Sequence, residues 1–220
     1  MGIALINLFG LIITWGIWLW LATRQFSLPL NLIIALAGAV FIAPLVLLGR
    51  WFLDRQPTVR RAEGVTGIIH YLVAIFLGSA LICGTRVGLE ANAWPIPLSP
   101  GWGLVLMFLS GLLWVAVIFN LILKGLGAPF AVSLTRVVVT DWAYAWTRNP
   151  MVLASLAFLV GLGLWLRSAL FLIWLLAVVS PAILMFLKLY EERELEIRFG
   201  AEYQRYKART PMFLPRKPST

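Results

Sequence analysis

Two short polar motifs in the second half of the chain hold the residue types best suited to chemistry. The first is Arg148-Asn149-Pro150, which follows an extended β-branched run and an aromatic turn and opens an apolar segment. Proline is favoured in the first turn of a helix, where its missing N–H costs nothing. Arg148 is therefore predicted beside the free N–H groups of a helix start, where the two together can bind an anionic group such as a carboxylate. The alternative is that Arg148 serves only as a positive charge that sets membrane topology.

The second motif is the carboxylate pair Glu191-Glu192, one helical turn beyond the last apolar segment. A carboxylate in this place suits recognition of a ribose hydroxyl or of a cationic ligand. Four large side chains follow at spacings of four, four and three residues, which would form one stripe on a helix: Leu195, Phe199, Tyr203 and Tyr206. The stripe either packs against residues 137–144 and closes a site, or it lies on the membrane surface.

Several familiar chemistries are excluded by residue counts. The chain has one cysteine and one histidine, so it holds neither a Cys/His zinc cluster nor a Cys–His nucleophile of ordinary spacing. No phosphate-binding glycine loop follows a strand pattern. The histidine, His70, lies in an apolar segment, where it is either a proton relay or a neutral imidazole bonded to a neighbouring helix.

Apolar segments dominate the rest of the chain and must position these motifs. Of 220 residues, 61% are apolar and only 12% are charged, which is about half the charged share of a soluble globular protein. A helix needs about 20 apolar residues to cross a bilayer. We therefore predict an all-α polytopic membrane protein with about six transmembrane helices, the last two forming a hairpin, and a cytoplasmic C-terminal helix. The predicted spans are residues 3–22, 32–49, 65–83, 103–123, 151–166 and 169–187.

The distribution of lysine and arginine predicts the orientation. With alternating spans, 15 of the 18 basic residues fall on one side, and only Arg24, Arg86 and Arg167 fall on the other. Because short basic loops stay in the cytoplasm, both termini are expected there. The net charge of +9 is then a topology signal and an attraction to anionic lipids, and we predict no nucleic-acid partner. Oligomeric state cannot be read from these features.

The two halves of the chain differ in character. Up to residue 124 the loops look like connectors, and beyond it the cytoplasmic connection and the tail are rich in polar and aromatic residues. We accordingly divide one structural domain into N-terminal transmembrane helices at 1–124 and a site-bearing core at 125–220.

The motifs of this second half resemble those of the integral-membrane methyltransferases that include isoprenylcysteine carboxyl methyltransferase and the phospholipid methyltransferases. That pattern is an extended Leu/Val run, a Gly-x-Tyr turn, Arg-His/Asn-Pro, a helical hairpin, Glu-Glu, Phe-Gly-x-x-Tyr-x-x-Tyr and two later prolines. Order and spacing agree over roughly the last 90 residues. The matching residues are Val137-Val138-Val139-Thr140, Tyr144, Arg148-Asn149-Pro150-Met151, Glu191-Glu192, Phe199-Gly200, Tyr203, Tyr206, Thr210-Pro211 and Pro215.

The resemblance implies an enzyme of the bacterial inner membrane that binds S-adenosylmethionine at the cytoplasmic surface and methylates a lipid or lipid-attached acceptor arriving from the bilayer. No metal is implied, and the catalytic residue is unknown. The arginine motif would hold the cofactor's amino-acid end, Tyr144 and the valine run its adenosine, and Glu192 a polar group. Lys188 matches a basic residue near the acceptor. The implied cofactor residues are Val137, Val138, Val139, Tyr144, Arg148, Asn149, Pro150, Met151, Val152, Glu191 and Glu192.

Three positions depart from the pattern and keep two other functions open. Trp142 replaces the turn glycine, Val152 a tyrosine and Ala154 a glycine. These changes favour a binding or scaffold protein with a degenerate cofactor site. A membrane sterol-type reductase that uses NADPH has similar C-terminal motifs, although a nicotinamide phosphate would require more clustered cations than this chain offers.

Overall fold

The computed structural model describes residues 2–91, 94–125 and 134–217, and helices make up most of them. Within these ranges the structure contains no β-strand, and a single isolated bridge joins Pro95 to Ser168. The helices are α1 (Gly2–Thr23), α2 (Leu28–Val40), α3 (Ile42–Arg55), α4 (Val59–Glu90), α5 (Pro100–Gly125), α6 (Ala143–Trp146), α7 (Pro150–Trp165), α8 (Ala169–Phe199) and α9 (Ala201–Arg209).

Four spans are long and apolar enough to cross a bilayer: residues 28–55, α4, α5 and α8. Two shorter apolar helices, Asn7–Thr23 and α7, accompany them. The prediction of an all-α polytopic membrane protein is confirmed. With 32 residues, α4 is about 48 Å long, well beyond the roughly 30 Å of a bilayer core. Part of α4 must therefore stand outside the hydrocarbon region.

The second predicted span is divided into two helices. The α2 helix ends at Val40, Phe41 links the two, and α3 begins at Ile42. Pro44 accounts for the break, since it has no N–H to donate and its ring would clash with the carbonyl of Val40 four residues earlier. Within the first turn of a new helix the same proline is tolerated.

Two π-helical turns interrupt α8. The first, Leu175–Val179, precedes Pro181, and the second, Phe186–Glu191, ends at the carboxylate pair. Pro181 removes an intrahelical hydrogen bond, and the hydroxyl of Ser180 donates instead to the carbonyl of Leu175 at 2.9 Å. The second turn sets the direction in which Glu191 and Glu192 face.

Close helix contacts depend on small residues. A Cβ atom on Gly103 of α5 would lie 2.4 Å from the backbone nitrogen of Trp165 and 2.6 Å from the carbonyl oxygen of Gly161, both in α7. Backbones can approach this closely only where side chains are absent, a common device in membrane helix packing. On the other side of the bundle, Gly49 of α3 receives the buried ring of Tyr190.

The predicted division at residue 124 stays a prediction, because it falls beside residues 126–133, which lie outside the described part of the chain.

Candidate functional site

A cavity of about 330 Å³ lies between α4, α5, the connection 134–142, α7, α8 and α9. Ten of the eleven predicted cofactor residues line it, the exception being Pro150, which is buried at the start of α7. Lys188, predicted to lie near the acceptor, is exposed on α8 and does not line the cavity. The structure thus brings together motifs that lie more than forty residues apart in sequence, as Arg148 and Glu192 do.

The cavity has a charged end and an apolar limb. Glu191, Glu192, Glu194, Arg148 and Arg198 line the charged end, where α8 leaves its apolar stretch. The limb runs back along the helices and is lined by Val73, Ala74, Leu77, Trp114, Ser155 and Ile183. A ligand with a polar head and a hydrocarbon body matches this division.

The central contact at the charged end is an ion pair between Arg148 and Glu192. The Arg148 Nη2 atom donates to Glu192 Oε1, and both side chains are only 9% exposed. Lys207 Nζ lies 2.7 Å from Glu192 Oε2, and it also binds Glu196 at 2.9 Å. Partial burial lowers the pKa of Lys207, but these hydrogen bonds to carboxylates raise it above its ordinary value, so the amine stays charged. Glu192 is therefore held by two cations.

Arg148 also fastens the C-terminal tail. Its Nη1 donates to the carbonyls of Lys207, at 2.8 Å, and Thr210, at 3.0 Å, while its backbone N–H donates to Pro211 at 2.9 Å. Asn149 Nδ2 donates to the carbonyl of Met212 at 3.0 Å. The arginine and asparagine of the motif thus hold the tail's backbone. The Nε atom of Arg148 is buried and has no partner among the described residues.

The three carboxylates at the charged end differ in their partners. Glu192 is paired as above, and Glu194 accepts from Arg198 Nη1 at 2.8 Å. Arg198 reaches onward to the carbonyl of Thr135, which fixes the connection against α8. The side chain of Glu191 also lines the cavity, yet no hydrogen bond or ion pair joins its carboxyl group to any described residue. It is the carboxylate available to a ligand.

The predicted stripe of large side chains faces the cavity and not a lipid surface. Its four residues, Leu195, Phe199, Tyr203 and Tyr206, all line the cavity wall. The Tyr206 hydroxyl donates to the carbonyl of Tyr144 at 2.7 Å, so α9 is fixed against α6. Burial raises the pKa of the Tyr144, Tyr203 and Tyr206 phenols, which therefore remain neutral.

Trp142 stands where the family pattern has a turn glycine, and its backbone shows why glycine suits that place. Its φ is 47° and its ψ is −120°, a conformation that costs a residue with a Cβ atom about 1–3 kcal/mol. We expect Trp142→Gly to raise the free energy of unfolding by about 1 kcal/mol, because the half-exposed indole buries little surface. Denaturation with SDS in mixed micelles measures the change.

Trp146→Gly is the matched control, because Trp146 is similarly exposed but lies in α6 with an ordinary helical backbone. It should lower stability. A Trp142→Gly protein less stable than the parent would contradict the assignment of strain.

Sequence reasoning missed several lining residues. Thr66 comes from α4 and Trp114 from α5, where nothing local sets them apart from packing residues. His70 of α4 was singled out as the one histidine, but its place in the cavity wall was not predicted. Arg198 could have been found, because Glu194 precedes it by four residues and such pairs share a helix face. Ala154, another departure, is buried in α7 and packs without lining the cavity.

The model of the phospholipid methyltransferase family matches residues 100–202, a segment that includes α5, α7, α8 and all five residues that line the charged end. The resemblance described from the motifs is confirmed over this segment. Neither the curated proteins nor the solved structures give a match.

Proposed function

From the match of residues 100–202 to the phospholipid methyltransferase family, which indicates a membrane methyltransferase acting on lipid-like substrates, we propose a finer function. The chain transfers a methyl group from S-adenosylmethionine to a lipid or lipid-attached acceptor at the cytoplasmic membrane surface. One observation carries the proposal: a single cavity joins a charged end, with an unpartnered carboxylate, to an apolar limb. Such a cavity offers charged groups to a cofactor and an apolar surface to a lipid chain.

The groups at the charged end fit the proposed cofactor. S-adenosylmethionine carries a cationic sulfonium, a cationic amine and a carboxylate. Glu191 offers an unpartnered carboxyl group to a cation, and Arg148, which also lines the cavity, supplies positive charge near a carboxylate. The valine run and Tyr144 supply an apolar wall for the adenosine. The cavity volume lies within the roughly 300–1,000 Å³ typical of small-molecule sites.

Other residues take supporting roles in this proposal. Asn149 and Glu192 shape the cofactor end through their contacts with the tail and with Arg148, and Met151 and Val152 line the wall at the start of α7. Lys188 is exposed on α8 outside the cavity, so it would meet the acceptor's head group at the membrane surface before the acceptor enters the cavity.

Positioning and exclusion of water account for the proposed reaction. The bound cofactor supplies an electrophilic methyl group on sulfur. The chain's part is to hold the acceptor in line and to exclude water, because the positive charge disperses during transfer. The stripe of large side chains closes the cytoplasmic face of the cavity, and α4, α5 and α7 supply its apolar walls. No titrating catalytic pair is needed, which agrees with the few ionisable groups here.

The orientation remains part of the proposal. The charged end neighbours Lys207, Arg193 and the basic tail, which the positive-inside rule assigns to the cytoplasm. Both termini then lie in the cytoplasm, and the membrane is the bacterial inner membrane.

Calorimetric titration of the detergent-purified protein tests the function. S-adenosylhomocysteine should bind and NADPH should not. Glu191→Gln should weaken binding of S-adenosylhomocysteine about tenfold, the equivalent of 1.4 kcal/mol and close to the worth of a charged hydrogen bond. Glu202→Gln, which changes an exposed carboxylate of α9 outside the cavity, should bind like the parent.

The alternatives give different results in the same titrations. Binding of NADPH alone would support the reductase. Binding of neither compound would support a scaffold with a degenerate site. Unchanged affinity in Glu191→Gln would move the cofactor away from this carboxylate.

A further inference from the structure

His70 is the only histidine of the chain, and it lines the cavity from α4. It lies outside residues 100–202, so the family match assigns it nothing. The proposed cofactor groups at the charged end do not include it. When a polar side chain of an apolar helix faces a cavity, we expect it to bind a ligand or to pair with another side chain.

The hydrogen bond of the ring fixes its tautomer. Nδ1 lies 2.9 Å from the carbonyl oxygen of Thr66, one turn earlier in the same helix. A carbonyl oxygen can only accept, so Nδ1 carries the proton of the neutral ring. Nε2 then has a free lone pair and is a hydrogen-bond acceptor. Among the described residues no donor meets Nε2.

The position of His70 is where the charged end meets the apolar limb. Thr66, His70, Val73, Ala74 and Leu77 all line the cavity, and their spacing places them on one face of α4. His70 is the last polar residue of that face. A lipid chain lying along the three apolar residues would therefore bring its head group to the level of the imidazole.

Packing holds the imidazole in place. The ring of Phe186 meets it edge-on at a centroid distance of 5.2 Å, and that of Tyr190 lies at 6.4 Å. Tyr190 is itself fixed, since its hydroxyl and that of Thr66 are 3.0 Å apart. The direction of Nε2 is thus set before any ligand arrives, which lowers the entropy lost on binding.

We propose that Nε2 of His70 accepts a hydrogen bond from the head group of the methyl acceptor, and that the acceptor therefore carries an N–H or O–H and is not a carboxylate. An ionised carboxylate has only lone pairs to offer, so it would meet the lone pair of Nε2 in a cavity whose charged end already holds three glutamates. An alcohol, or an amine in its neutral form, donates to Nε2 and keeps a lone pair for the methyl group, and the proton released on methylation passes to Nε2. The role as acceptor site rests on the proposed function, whereas the binding of such a lipid head does not.

Chemical modification tests the binding directly. Diethylpyrocarbonate acylates an unprotonated imidazole nitrogen, and mass spectrometry of peptides distinguishes the product at the one histidine from products at lysine or tyrosine. The detergent-purified parent should be modified at His70. Oleyl alcohol, which unlike an amine does not consume the reagent, should slow the reaction about tenfold, as expected if the bound head group covers Nε2 with a hydrogen bond worth about 1.4 kcal/mol. Oleate and methyl oleate, which have the same chain but no such donor, should not.

Two substitutions separate the two ring nitrogens. The amide of asparagine reaches only the position of Nδ1, while that of glutamine reaches the position of Nε2. His70→Asn should therefore raise the dissociation constant for oleylamine about tenfold, and His70→Gln should recover most of the loss. Quenching of tryptophan fluorescence measures the affinity, because Trp114 lines the same cavity. Affinity for S-adenosylhomocysteine should stay within about twofold of the parent in both variants.

The outcomes are distinguishable from those of the proposed function. Failure to bind S-adenosylhomocysteine, with oleyl alcohol still protecting His70, would reject the cofactor and keep the lipid site. The inference would be overturned if His70 were unreactive or if oleate protected it as well as oleyl alcohol does. It would also be overturned if His70→Asn bound oleylamine with the affinity of the parent.

Discussion

Replacing Glu192 with alanine is expected to lower the free energy of unfolding by about 3–5 kcal/mol, because the guanidinium of Arg148 would remain buried without its counterion. Lys207 would lose the nearer of its two carboxylate partners at the same time. The C-terminal tail should also detach. Arg148 would lose the carboxylate that orients its guanidinium, and this guanidinium holds the carbonyls of Lys207 and Thr210. Denaturation with SDS measures stability, and trypsin cleavage after Lys207 or Arg209 reports release of the tail.

Glu196→Ala is the control for this prediction. Glu196 shares Lys207 with Glu192, but its pairs with Lys207 and Arg193 are partly exposed, so the loss should stay below about 1 kcal/mol. A double variant, Arg148→Met with Glu192→Leu, should recover part of the stability because no buried charge is left alone. Equal losses in Glu192→Ala and Glu196→Ala would show that burial of the pair has no energetic consequence.

The second large effect is expected at the contact between α5 and α7. Gly103→Val places a branched side chain where a Cβ atom alone would be 2.4 Å from the backbone of Trp165. Backbone cannot rotate away, so the helices must separate, at a cost of about 3 kcal/mol. Because α5 carries Trp114 and Leu121 into the cavity, the variant should also bind S-adenosylhomocysteine more weakly. SDS denaturation and calorimetry measure the two effects.

Gly111 provides a matched control on the same helix. A Cβ atom there would find its nearest neighbour, in the ring of Phe158, at 3.9 Å, which is an ordinary contact. Gly111→Ala should therefore be neutral or stabilising by up to about 1 kcal/mol, the difference in helix propensity. If both glycine variants behave alike, close backbone approach does not govern this interface.

The sequence was sufficient to predict the helices but not their interruptions. Hydropathy marks every span, because a helix that crosses lipid needs a long apolar run. The division at Phe41 was signalled by Pro44, which the count of apolar residues ignores. The π-helical turn at Phe186–Glu191 has no comparable local signal. It depends on how α8 packs against α3 and α4 through the buried Tyr190.

The candidate site was predictable where motifs are contiguous and unpredictable where distant elements meet. The valine run, the arginine motif and the glutamate pair were found from their order, and they line one cavity. The pairing of Arg148 with Glu192 was not foreseen, because 44 residues separate them and any of several carboxylates could have served. The contribution of α4, through Thr66 and His70, depends on tertiary packing alone.

The second π-helical turn of α8 has a consequence for insertions and deletions in this helix. Such a turn holds one residue more than the α-helical turn it replaces, since its hydrogen bonds span five residues and not four. Deleting one residue between 186 and 191 would restore a regular α-helical turn, and because that turn still closes one revolution, the residues beyond it would keep the faces they have now. Deleting one residue between 182 and 185, where the helix is regular, would instead rotate everything beyond it by about 100°, the angle per residue. The ion pairs of Glu192 and Glu194 would then face away from Arg148 and from the connection. A single-codon deletion should thus preserve the charged end when it falls within the second π-helical turn and disrupt it when it falls just before that turn.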